Sequence, residues 1–200
     1  MEKNGVNRNK APQNAVSYFL VELIFIIVFC MARCDSSMSI PIDFSDINPD
    51  LDLESRSFIA SLNGENVVPP IETTARATLN LTCFRSGSEG WGEGWDITCE
   101  FFVKNIKQEE ITGFDIHQGM PGVNGNVLAF LDKAPSVIIE YYMGDLRIYA
   151  QLDHTKRNGL NQATTSQIVE EIEKGGTYAD IHTIKHPSGE IRGQIVPRMY

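Results

Sequence analysis

The sequence is poor in the signatures that most catalysts and nucleic-acid binders carry. It has no Gly-x-Ser-x-Gly elbow, no His-Glu-x-x-His pair, no phosphate loop and no dinucleotide fingerprint, so nothing in it points to a nucleophilic, metalloprotease or nucleotide-dependent enzyme. Basic side chains are scarce, 17 Lys and Arg against 26 Asp and Glu in 200 residues. Residues 1–34 hold four of the basic residues and two of the acids, which leaves 13 against 24, a net charge of −11, for the rest. Nucleic acids and anionic headgroups need clustered Lys and Arg, so neither is an expected partner. Cysteines number only four, Cys30, Cys34, Cys83 and Cys99, and two distant ones in the body of the chain cannot by themselves build a zinc finger.

Long apolar runs are also rare; there is one. After a polar, net basic start, residues 15–32 are apolar apart from Glu22, with the strongest stretch from Leu23 to Ala32. Ten residues suit the core of a secretory signal better than a full membrane span, and small residues at Ala32, Cys34 and Ser36 offer cleavage sites. The rival reading is an uncleaved signal-anchor, the one route by which the chain would meet a membrane. Either way residues 35–200 are expected on the exoplasmic side, secreted or tethered. Residues 35–55, with six acids and no sustained periodicity, read as an acidic linker, and 56–197 as one domain.

What is abundant is strand and turn chemistry. Sixteen glycines and nine prolines punctuate short alternating runs. Ala77, Leu79, Leu81 and Cys83 alternate with polar residues, and Ile97, Cys99, Phe101 and Val103 do the same, the period of half-buried strands. Further strands are expected near 56–62, 112–117, 127–131, 137–143, 146–152, 178–183 and 190–196. Between them lie turns at Asn63-Gly64, Gly119 to Gly122, Asn124-Gly125, Gly144-Asp145 and Pro187 to Gly189. One short helix is expected near Thr165–Lys174, capped by Thr164 or Thr165, with Ile168, Val169 and Ile172 as its apolar stripe and Gly175-Gly176 as its stop. Many short strands at this spacing make an all-β sandwich or barrel.

In an oxidising compartment, Cys83 and Cys99 on the inward faces of two adjacent strands are expected to form a disulfide, with about 3 kcal/mol from closing their loop. Two separate buried thiols are the alternative. Asn80-Leu81-Thr82 is an N-glycosylation sequon, with Asn80 on the polar face of its strand.

Four blocks resemble the CHRD (chordin-type) domain. They are Phe58 to Pro70, which ends in Glu-x-x-x-Pro-Pro, Phe114 to Gly125, the helix before Gly175, and Tyr178 to Thr183 followed by Pro187 to Gln194. The resemblance implies a Greek-key, immunoglobulin-like or superoxide-dismutase-like β-sandwich in an extracellular protein, with no general catalytic activity. In chordin-like proteins such modules serve a growth-factor antagonist, a role that depends on cysteine-rich domains this sequence does not contain. Where the family's second block has two histidines, this chain has Asp115 and His117, which weakens an analogy to a copper dismutase centre.

Three constellations remain. The tripeptide Asp-Ile-His occurs twice, at 115–117 and 180–182; on a strand each copy presents a carboxylate and an imidazole on one face. If the two strands are neighbours, Asp115, His117, Asp180 and His182 converge into a site for zinc or copper; if not, each Asp orients its own His. Glu190 and Arg192 share a strand face and either pair structurally or contact a ligand. The glycine-rich stretch from Ser86 to Trp95 carries Trp91 and Trp95, which either pack over the hairpin or meet a partner, an extracellular protein or a glycan. The chain therefore reads as a non-catalytic extracellular binding or structural module, with a metal-binding protein of dismutase-like architecture or a membrane-tethered surface protein as alternatives.

Overall fold

The computed structural model describes residues 54–88 and 92–199. The apolar segment at 15–32, Cys30, Cys34, the linker up to residue 53 and Trp91 lie outside the described residues. Among those described, no helix is long and apolar enough to cross a membrane.

Ten strands follow the alternation of the sequence: β1 Ser55–Asn63, β2 Arg76–Ser88, β3 Gly92–Lys104, β4 Ile111–Gln118, β5 Val127–Phe130, β6 Ser136–Tyr142, β7 Asp145–Leu152, β8 Thr177–Thr183, β9 Ile191–Gln194 and β10 Val196–Pro197. All pair antiparallel in one curled sheet, a half-barrel, in the order β5-β4-β8-β9-β1-β2-β3-β7-β6, with β10 also on β1. Among the described residues the fold is all-β with one α-helix, α1, Thr165–Glu173.

Period-2 patterning decides which side is inside. Along β7 buried residues alternate with half-buried ones, and Ala77, Leu79, Leu81, Ile97, Phe101 and Val103 on β2 and β3 are all buried. Phe101 meets Phe114 of β4 edge-to-face, centroids 5.9 Å apart. Helix α1 lays Ile168, Val169 and Ile172 on this core. Thr164 caps its start, accepting from the Gln167 amide while the Gln167 side chain accepts from the Thr164 amide. Gly175 ends the helix at φ +72°, a conformation that favours glycine.

One expectation is corrected. Cys83 and Cys99 are free, buried thiols. The β2–β3 ladder sets Cys83 opposite Ile97 and Leu81 opposite Cys99, so the two share a face but sit diagonally. Diagonal neighbours lie some 7–8 Å apart, beyond what a disulfide can bridge. Burial pushes the Cys83 thiol up to about 12 and raises that of Cys99 as well. Of the two readings of Trp95, the structure supports packing: β3 begins at Gly92, and Trp95 is buried, with the Arg56 guanidinium 4.5 Å from its ring centroid. His154 is packed on Gly94 and bonded to Asp96, Nδ1 to Oδ1 2.8 Å.

Candidate metal centre

Strands β4 and β8 are neighbours, and their register brings the two Asp-Ile-His copies together. Asp115 lies directly opposite Asp180, His117 opposite Tyr178 and Gly113 opposite His182. Phe114, Ile116, Ala179 and Ile181 face the core, so by alternation Asp115, His117, Asp180 and His182 share the other side of the sheet. Loops cover that side, and both aspartates are buried. Like charges placed directly opposite in a ladder destabilise it, and burial makes this worse. Among the described residues no Lys or Arg pairs with either carboxylate.

The imidazoles point the same way. His117 Nδ1 is 3.0 Å from the Gly125 carbonyl and His182 Nδ1 is 3.0 Å from the Pro187 carbonyl. A carbonyl only accepts, so both Nδ1 atoms carry hydrogen and each Nε2 is left for the site. That arrangement, one ring nitrogen held by a backbone oxygen and the other free, is how proteins orient metal-binding histidines. His182 Nε2 stands 3.0 Å from Asp115 Oδ2 and 3.2 Å from Asp180 Oδ1, and His117 Nε2 is 3.4 Å from Asp180 Oδ1. Yet both Nε2 atoms, with Asp115 Oδ1 and Asp180 Oδ1, are buried without a well-directed hydrogen bond. The four side chains offer ligand atoms that all lie within 4.8 Å of one another. Tetrahedral ligands at 2.0–2.1 Å from a metal stand about 3.3 Å apart, which matches the three separations.

Two nitrogens and two carboxylate oxygens suit zinc or copper; calcium and magnesium prefer oxygen alone. A divalent ion would balance the two carboxylates. Asp115 and then Asp180 raise His182 to about 10. For His117, burial lowers and Asp180 more than compensates; for Asp180, burial raises and the two histidines outweigh it.

Surrounding residues hold the ligands still. His117 stacks on Tyr178, 4.8 Å between centroids, and the Arg192 guanidinium lies 3.4 Å above the other part of that layered stack, the Tyr178 ring. Tyr178 Oη accepts from the Gly125 amide. A Cβ on Gly125 would fall 1.5 Å from the Gln118 carbonyl, so only glycine fits where that loop turns back to His117. One residue escaped sequence reasoning: Asp132, exposed in the short 3-10 turn Leu131–Lys133, is raised by partial desolvation and then by the charge of Asp115, within whose electrostatic reach it lies. It carries no pattern that alternation could reveal.

Two of the other candidates, Arg192 and Glu190, are engaged in contacts within the fold. Arg192 is buried and donates to Asn124 Oδ1 and to the Met120 and Val123 carbonyls, which ties down the loop that carries them. Glu190 accepts from the Thr73 and Thr183 hydroxyls, not from Arg192. Asn80 is half-buried in β2, between Ile59 and Glu100 of the flanking strands. A second cluster, Asp96, Asp153 and His154, differs in kind. Asp96 Oδ1 already receives the His154 amide and ring, and the Asp153 oxygens receive the Thr155 amide, the Thr155 hydroxyl and Lys156. Its carboxylates are spoken for.

A family model described as the CHRD domain matches residues 58–195. No curated protein matches the chain, and no solved structure does.

Proposed function

The chain belongs to the CHRD-domain family, and from that premise we propose that this domain is a non-catalytic extracellular module that binds one divalent ion, zinc or copper, through Asp115, His117, Asp180 and His182. The observation that carries the reading is the convergence of four buried or half-buried ligand side chains, several of whose polar atoms lack a well-directed hydrogen bond. Family membership supports a binding or structural module. The extracellular setting draws on the usual location of CHRD domains and on the apolar segment at 15–32. That segment leaves the domain on the same side whether cleaved or kept, and N-terminal sequencing of the mature protein separates the two.

The test is metal content. Purified protein loaded with zinc or copper and desalted is expected to keep about one equivalent by mass spectrometry of the elements. His117→Ala with His182→Ala is expected to keep none, while His154→Ala, in the second cluster, keeps the full amount. Equal metal in wild type and the double variant, or none in either, would remove the proposal.

A further inference from the structure

The two ends of the sheet are treated differently by the fold. Strand β5, at one end, is four residues long, and the 159–161 segment covers its free edge. The Phe130 amide donates to the Gly159 carbonyl, the Asn161 amide to the Leu128 carbonyl, and Ala129 bridges Leu160. Strand β6, at the other end, has no such cover among the described residues. It runs seven residues, Ser-Val-Ile-Ile-Glu-Tyr-Tyr, in unbroken register with β7. It contains no proline, glycine, lysine or bulge, the devices by which exposed edges are usually blunted. Large apolar side chains stay in solvent along it and at its turn: Ile138 is 53% exposed, Tyr141 60% and Met143 89%. A seven-residue edge uncovered among the described residues, with large apolar side chains in solvent, is a template for another strand.

The sequence of β6 suits a second copy of itself. An antiparallel pair with its two-fold axis at Ile139 sets Ile139 against Ile139, Val137 against Tyr141 of the second copy, and Ile138 against Glu140 of the second copy. Val137 and Ile139 already pack on the core, so the first row extends the apolar layer of each sheet across the axis, with an aromatic facing a β-branched residue. No like charges fall directly opposite. Glu140 is also paired with Arg147 at 3.3 Å, which offsets local repulsion in a chain of net charge −9; the remaining charge is screened beyond about 8–10 Å. We propose that the β6 edge is a dimerisation surface, on which two copies of this chain join their sheets antiparallel about Ile139.

The full chain tests this in two ways. By light scattering, its mass is expected to rise with concentration from 22.3 kDa toward twice that value over about 1–100 µM. Ile138→Glu places like charges against Glu140 twice by symmetry and is expected to weaken the dimer about tenfold; Ile138→Lys places opposite charges there and is expected to tighten it by a similar factor. Ile138 is more than half exposed, so both variants keep the fold. In a background with Cys30→Ser and Cys34→Ser, Ile139→Cys is expected to crosslink to itself under mild oxidation and Ser136→Cys is not, since only position 139 meets its own copy. A monomer at every concentration, the same mass profile for both Ile138 variants, or equal crosslinking at 136 and 139 would overturn the proposal. Metal content plays no part in these outcomes, so they leave the metal reading untouched.

Discussion

Asp115 and Asp180 face each other across a ladder that would ordinarily reject two like charges, and the bonds from Gly125 and Pro187 turn both imidazoles toward them. The Asp-Ile-His repeat was visible in the sequence, as was the shared face of its i and i+2 residues. Their meeting was not, because it depends on β4 and β8 being neighbours, and alternation within a strand says nothing of which strand lies beside it. The cysteines show the same boundary from the other side. Alternation placed Cys83 and Cys99 correctly on the inner face, but a two-residue offset in register separates a bondable pair from a diagonal one. Thiolate is the reactive species, and burial suppresses it at both sites. Iodoacetamide at pH 8 is therefore expected to leave Cys83 and Cys99 unmodified in the native protein and to label both in guanidinium without reductant. Peptide mass mapping reads this directly, and a protected pair in guanidinium would restore the disulfide.

Single elements were the most legible part. Strands β2, β3 and β7 and helix α1 follow their patterns because tertiary burial and local preference agree there. The start of β3 before Trp95 was less legible, because glycine carries no side chain through which alternation can show. Gly94 instead has a packing role: a Cβ there would fall 2.5 Å from His154, so glycine lets the ring lie against the strand. The α1 cap and stripe give separable contributions. Thr164→Ala is expected to cost about 1 kcal/mol and Ile172→Ala about 2–5 kcal/mol in urea unfolding, since the first loses one hydrogen-bonded cap and the second leaves a cavity in a fully buried site. Equal losses would mean that the helix contributes through its cap rather than its buried face.

At the scale of the whole molecule, an ion that binds the folded chain and not the unfolded one must stabilise it. Zinc at a hundredfold excess over its dissociation constant adds about 2.7 kcal/mol. For a domain of this size that corresponds to a rise of roughly 5–10 °C in Tm, and EDTA is expected to reverse it. Calorimetry with the His117→Ala and His182→Ala double variant as control checks the source; an equal rise in the control would assign it to zinc bound elsewhere. Sheet order is the part of the fold least open to sequence reasoning. β3 is followed in the chain by β4, yet four strands stand between them in the sheet, β8, β9, β1 and β2. Such a jump is settled by how every inner face packs at once.

Sheet order likewise draws the two halves of the proposed ion site from distant parts of the polypeptide, since three strands, β5, β6 and β7, and helix α1 lie between β4 and β8 in the chain. A protease cut in the Met143–Gly144 turn would leave one triplet on each fragment, so neither piece alone could hold the ion. Capture of metal would then report that both halves of the backbone had come home together, a check on completed folding carried by the protein itself.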